Sequence, residues 1–230
     1  MTHAKAAAYA EGVITLAIDT SSEFVSAAVL RDNVELCSVG VLADRGQGES
    51  LAPLIERALG GAGVQSAEQL VVGVGPGPFT GLRVGLVTAQ VLAHVWQAHI
   101  VGVCSLDAVA YQARRERPGT ELIVATDAKR SEVYWARYDN TGQRVAGPSV
   151  DRPDVVGLGS AGLWVVGAGA HDRLELFESA GAEVGGPRHG QASDLVRVLV
   201  DRPDSALPAQ PLYLRKPDAA EPGPRKRVNR

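Results

Sequence analysis

The sequence predicts an α/β protein of two lobes built on one plan, and three observations carry that reading. Short runs rich in β-branched residues alternate with longer stretches of helical spacing. The first half of the chain gives the order βββαβαβ. A strand, an Asp at its carboxyl end, a tight polar turn, a Glu and a returning strand then occur twice, at 16–30 and at 122–138. With 230 residues, 45% of them hydrophobic, the chain can fill one large core or two small ones.

In order, Val13 to Ile18, Val25 to Leu30 and Val34 to Leu42 read as an antiparallel meander separated by Asp-Thr-Ser-Ser and Arg-Asp-Asn. In Glu49 to Leu59 the apolar residues Leu51, Leu54, Ile55, Ala58 and Leu59 share one helical face, and Gly60, Gly61 and Gly63 are expected to end it. Gln69 to Val74 reads as a buried strand, Thr80 to Gln97 as a second helix and Ile100 to Val103 as a strand. A connecting helix, Leu106 to Glu116, leads to strands at Leu122 to Thr126, Glu132 to Tyr138 and Leu163 to Val166, and to a helix at Asp194 to Val200. The expected division is a disordered N-terminal tail over 1–12, a first lobe over 13–105, a smaller second lobe over 106–214 and a basic, Pro-rich, solvated tail over 215–230.

Lys and Arg number 23 against 26 Asp and Glu, a formal net charge of −3, so nothing pulls the whole chain toward nucleic acid or an anionic membrane. Any contact with RNA has to be local. Cys37 and Cys104 stand in apolar strand-like runs and read as reduced structural thiols of a cytoplasmic protein. The N-terminus has no secretory apolar core, and no stretch reaches the roughly 18 to 20 apolar residues of a membrane span.

Two segments invite chemistry. Asp19-Thr20-Ser21-Ser22 closes the first strand with a carboxylate, hydroxyls and backbone N–H groups, able to hold a phosphate and a hydrated Mg²⁺ or only to cap a hairpin. Gly73 to Gly85 runs from strand to helix through a turn stiffened by Pro76 and Pro78 and freed by Gly75 and Gly77, with Thr80 placed to cap the helix. It matches neither a Walker loop nor a dinucleotide fingerprint. Along that helix Gly81, Gly85, Ala89 and Ala93 recur every fourth residue, a small ridge suited to a close partner helix, while Leu82, Leu86, Val87, Val91, Val95 and Trp96 leave little polar surface. The five histidines include no pair at i,i+3 or i,i+4 spacing, no nucleophile elbow occurs, and neither cysteine has a histidine beside it in sequence. Asp19, Asp127 and Glu132 are the carboxylates placed by pattern.

Ala17-Ile18-Asp19-Thr20-Ser21-Ser22, Gly48 to Ile55, Gly75-Pro76-Gly77-Pro78-Phe79-Thr80-Gly81-Leu82-Arg83-Val84-Gly85 and Asp127 to Tyr134 resemble the successive signatures of the TsaB family, also called YeaZ, over residues 13–216. The resemblance implies an α/β, actin/Hsp70-like (ribonuclease H-like) fold of duplicated lobes. It implies a non-catalytic subunit of the bacterial complex that forms threonylcarbamoyladenosine beside the anticodon of tRNAs reading codons that begin with A. The partner is the catalytic subunit TsaD, with the ATPase TsaE docking where the two meet, a homodimer when the chain is alone, and tRNA reached indirectly through the complex.

TsaD carries a metal-binding His-x-x-x-His; Gln47 and Leu51 are the nearest positions here, so the resemblance implies no metal and no catalytic residue. It further implies a vestigial nucleotide cleft at Asp19, Thr20, Ser21, Gly75, Gly77 and Asp127. No cofactor is required, with Mg-ATP admitted at the interface of the complex. The dimer surface is expected at Leu51, Leu54, Ile55, Gly81, Leu82, Gly85, Leu86, Ala89 and Ala93. The competing reading is a small Mg-ATP-dependent phosphotransferase or ATPase of the same fold. A metalloprotease is disfavoured because no histidine pair is available.

Overall fold

A computed structural model of the chain describes residues 12–43, 46–158 and 161–215. The expected tails lie outside those residues, apart from Gly12 and Arg215.

The first sheet holds β1 (Ile14–Asp19), β2 (Phe24–Arg31), β3 (Val34–Leu42), β4 (Gln69–Gly73) and β5 (His99–Val103) in the order β3-β2-β1-β4-β5. The first three pair antiparallel, as the meander predicts, and β4 and β5 run parallel to β1. Parallel neighbours need crossovers, and α1 (Gln47–Ala62) and α2 (Phe79–Trp96) supply them. Both helices bury their apolar faces on one side of the sheet, against Leu16, Ile18 and Val72.

Helix ends differ from the sequence expectation for identifiable reasons. Gly60 and Gly61 lie inside α1, and the left-handed cap falls at Gly63, φ 68°. Gly61 lies over Cys37, where an added Cβ would stand 2.6 Å from Sγ. At α2 the N-cap is Pro78, which places Thr80 inside the first turn, so it is not the cap.

After α3 (Ser105–Glu116) the second sheet repeats the arrangement with β6 (Leu122–Asp127), β7 (Val133–Tyr138), β8 (Arg144–Asp151), β9 (Trp164–Val166) and β10 (Glu183–Val184) in the order β10-β9-β6-β7-β8. Its helices α4 (Pro153–Leu158), α5 (Ala168–His171) and α6 (Leu174–Ser179) are short. Two sheets with the same order of strands, each flanked by helices, make this a duplicated α/β fold of the actin/Hsp70 type.

The last helix, α7 (Ala192–Asp201), crosses back to the first lobe. Leu195, Val196, Val198 and Leu199 cover Ala17, Ala28, Leu30 and Val71 on the sheet face opposite α1 and α2. The expected second lobe over 106–214 is therefore corrected for this helix: β1 and β2 are apolar on both faces, and α7 brings the second cover. The segment that follows stays on the first lobe, with Leu207 bridged to Gly102 and the Leu212 N–H donating to Val74 O at 2.8 Å. Between the lobes the Tyr138 hydroxyl and Arg144 Nη1 both donate to buried Asp107 of α3, at 2.7 and 3.1 Å. Cys37 and Cys104 are both free. Among the described residues no helix is long and apolar enough to cross a membrane.

Candidate functional site

The turn after β1 is closely fitted against the start of α2. Asp19 Oδ1 accepts the Ser21 N–H at 2.8 Å, and burial pushes the carboxyl above its ordinary value against the hydrogen bonds that pull it down. Thr20 Oγ1 donates to Gly81 O at 2.7 Å and accepts the Gly85 N–H at 3.1 Å, so one hydroxyl sits within the backbone ladder of α2. Four glycines spaced by four surround these residues. An added Cβ would stand 2.5 Å from the Asp19 carboxyl at Gly73, 2.1 Å from Ser21 O at Gly77, 2.7 Å from Thr20 O at Gly81 and 2.4 Å from Thr20 Oγ1 at Gly85.

This corrects the partner ridge. Gly81, Leu82, Gly85, Leu86, Ala89 and Ala93 are all buried within the chain, as are Leu51, Leu54 and Ile55 of α1. The glycines are small because the Asp19 turn docks there, and the remaining side chains fill the first lobe's own core. The solvent face of α2 lies one row round the helix. Val87, Val91 and Val95 are 56%, 55% and 66% exposed and stand in line with Arg83. Sequence periodicity showed a helix apolar nearly all round; which row faced the sheet depended on Thr20, a contact distant in the chain.

The cleft between the lobes is nearly closed. A cavity of about 20 Å³ is lined by Asp19 and Ser21, with Pro76, Ser105, Thr126 and His189 around it. Pockets that hold drug-sized ligands run to roughly 300–1,000 Å³. The six residues expected to hold a nucleotide are not gathered there: Asp19 and Ser21 line the cavity, Thr20 serves α2, Gly75 and Gly77 shape the turn, and Asp127 faces elsewhere. His189 stacks on Phe24 with ring centroids 5.4 Å apart, and burial with the Arg188 charge lowers its pKa to about 4. Neither ring stood out in sequence, since both lie outside any motif.

The turn after β6 has the opposite character. Asp127 Oδ1 accepts the Lys129 N–H at 3.2 Å, as Asp19 does for Ser21. Its carboxylate then pairs with Lys129 Nζ at 2.7 Å and Arg173 Nη2 at 3.1 Å. Burial raises its pKa, but these two cations outweigh it and hold the carboxyl below the usual range. Lys129, Arg130 and Ser131 follow one another at φ 58°, 52° and 62°, a left-handed run of three non-glycine residues. Each such residue costs roughly 1–2 kcal/mol. Beside the run opens a cavity of about 390 Å³, walled by the start of α2, by Tyr134 and by Tyr213 to Arg215.

With this geometry in view, known proteins supply the frame. The family described as TsaD: tRNA N6-adenosine threonylcarbamoyltransferase matches residues 39–177. The uncharacterized protein Mb3455c of Mycobacterium bovis is 39% identical over 208 residues, 89% of this chain and 92% of that protein. The tRNA threonylcarbamoyladenosine biosynthesis protein TsaB of Escherichia coli is 35% identical over 130 residues. That match spans 54% of each protein, about half the length of the relative. YeaZ from Pseudomonas aeruginosa superposes with a TM-score of 0.74 at 26% identity, over 88% of this chain and all of that one.

The chain belongs to the TsaB (YeaZ) family. Three of the four signatures are now structural: Ala17 to Ser22 is the docked turn, Gly75 to Gly85 is the frame that receives it, and Gly48 to Ile55 opens the helix beside that frame, where Val84 comes within 3.8 Å of a Cβ placed at Gly48. The fourth, Asp127 to Tyr134, forms the strained turn and one wall of the cavity of about 390 Å³.

Proposed function

We propose that this chain is a non-catalytic subunit in the formation of threonylcarbamoyladenosine in tRNA, and that it pairs with and activates TsaD. The observation that carries the reading is the Val87, Val91, Val95 stripe on α2, an exposed apolar row on a member of a family whose E. coli protein is named for this modification. Covering one such side chain is worth roughly 1–2 kcal/mol. The absence of catalysis in this chain is supported by α1: where the resemblance to TsaD puts the second metal-binding histidine stands Leu51, 1% exposed and packed in the core. The reading includes self-association through the same stripe when TsaD is absent, docking of TsaE at the shared edge with Mg-ATP, tRNA engaged through the complex, and a cytoplasmic location. The 20 Å³ cleft speaks against the alternative Mg-ATP phosphotransferase.

Val91→Asp tests the pairing. The site is exposed, so the variant folds, and an unpaired carboxylate in a covered helix contact weakens association by about 100-fold or more. Co-elution with TsaD and the threonylcarbamoyladenosine content of tRNA in cells carrying only the variant are the measurements. A variant that pairs normally and sustains the modification overturns the assignment.

A further inference from the structure

We infer that the cavity beside the second turn is a binding site for a nucleoside phosphate, either free or as one unstacked nucleotide of an RNA strand. At about 390 Å³ it falls within the range of small-ligand pockets, roughly 300–1,000 Å³, and the inter-lobe cleft at 20 Å³ does not.

Its walls combine two chemistries. On one side the rings of Phe79 and Tyr213 stack, centroids 5.1 Å apart, and Arg83 locks them by lying 3.7 Å over Phe79 while donating to the Tyr213 hydroxyl at 2.9 Å. Tyr213 remains 40% exposed, so it has ring surface to give. On the other side the turn presents Lys129, paired to Asp127, and Arg130, with Arg215 held by its bond to Ala128 O and by its ion pair with Glu132. An apolar ligand would desolvate these charged side chains, and a bare anion would leave the rings uncovered. A planar base against Tyr213 with its phosphate against the turn satisfies both walls.

The turn is arranged for this. Lys129 is 70% exposed and paired to Asp127, but Asp127 is also held by Arg173, so Lys129 can leave for a phosphate without stranding a carboxylate. The consecutive left-handed residues fix the turn in a conformation that the local sequence does not favour, and the bonds from Asp127 to Lys129 and from Arg215 to Ala128 maintain it. Beyond the turn a second cavity, about 570 Å³, shares Arg130 and is lined by Arg152 and Arg173 together with Glu132 and Asp154, the last paired with Arg152. Lys129, Arg130, Arg152, Arg173 and Arg215 stand here with three carboxylates, Asp127, Glu132 and Asp154, so cations outnumber anions by two around the turn of a chain of net charge −3, and that surplus gives a longer phosphate chain or a neighbouring nucleotide a path over the turn.

The inference is independent of pairing with TsaD. Its test is titration of the full chain, by calorimetry at low salt, with AMP, ATP, a single-stranded adenylate tetranucleotide and inorganic phosphate. Binding of AMP or ATP at least about ten-fold tighter than phosphate identifies a free nucleotide site. Binding of the tetranucleotide with neither mononucleotide identifies the RNA source. Tyr213→Ala and Arg130→Glu, each checked for an unchanged melting temperature, weaken whichever ligand binds by roughly five-fold or more. The inference is overturned if no nucleotide binds up to about 5 mM, if phosphate binds as well as AMP, or if both variants bind like the parent. A chain that pairs with TsaD yet binds no nucleotide sinks this inference alone.

Discussion

The turns that follow β1 and β6 occupy equivalent places in two sheets of the same strand order, and they have been put to opposite uses. Both begin with an Asp whose Oδ1 accepts the N–H two residues on. In the first, a frame of glycines and an 18-residue helix close over the turn, burying Asp19 and raising its pKa. In the second, the corresponding helix α5 has only 4 residues, the turn stays at the surface, and two cations lower the pKa of Asp127. Duplication supplied one hairpin twice. What followed it in the chain decided whether it became an internal joint or an exposed, charged rim.

The strongest way to break this contrast is to add one methyl group. Gly77→Ala places a Cβ against the Ser21 carbonyl, backbone against backbone, with no flexible side chain to yield. Overpacking of this kind typically costs about 1–3 kcal/mol, and a rigid site belongs at the upper end. Gly85→Trp, which the ridge reading would have chosen to block a partner, instead displaces Thr20 from α2 and unfolds the first lobe. Chemical denaturation reads both; a Gly85→Trp chain that is folded and merely unable to pair would restore the ridge as an interface.

At the second turn the sign reverses. Arg130→Gly relieves a left-handed residue at an exposed site, so it stabilises the chain by up to about 1 kcal/mol, net of the side chain's own interactions and of the flexibility that glycine adds to the unfolded chain. The same denaturation series checks it. Loss of stability would mean that the Arg130 side chain holds the turn more strongly than its backbone resists.

Much of the fold was legible because it depends on local pattern. The β3 run from Val34 to Leu42 matches its expected span, and the two hairpins were readable as a repeat. What sequence reading missed is short or interrupted: β8 contains Gly147 and Pro148, which break its alternation, and α5 and α6 span 4 and 6 residues, too few for helical periodicity to register. The candidate site was less legible. The signatures pointed to the right segments, but the Gly81, Gly85 row was assigned to a partner because Thr20 lies more than sixty residues away, a separation of 61 to Gly81. Likewise Tyr213 and Arg215, which wall the cavity of about 390 Å³, stand at the edge of a stretch that reads only as basic tail.

The smallest expected effect lies in slope rather than level, and it compares the two aspartates directly. Asp19 has a folded pKa above the ordinary 3.8, so its folded form holds more protons than the unfolded chain once pH passes that value. Its contribution is full below 3.8 and is lost as pH rises through the folded pKa. Asp127 has a folded pKa below 3.8, so its contribution is present above that value and is lost as pH falls through the folded pKa. Asp19→Asn should therefore gain on the parent chain as pH rises above about 4, while Asp127→Asn falls behind it as pH rises toward about 4 and keeps a constant deficit above that. Melting temperatures of the three proteins from about pH 2 to about pH 8 decide the matter. Parallel curves would mean that the two turns share one electrostatic environment, and that the division between buried joint and charged rim is packing alone.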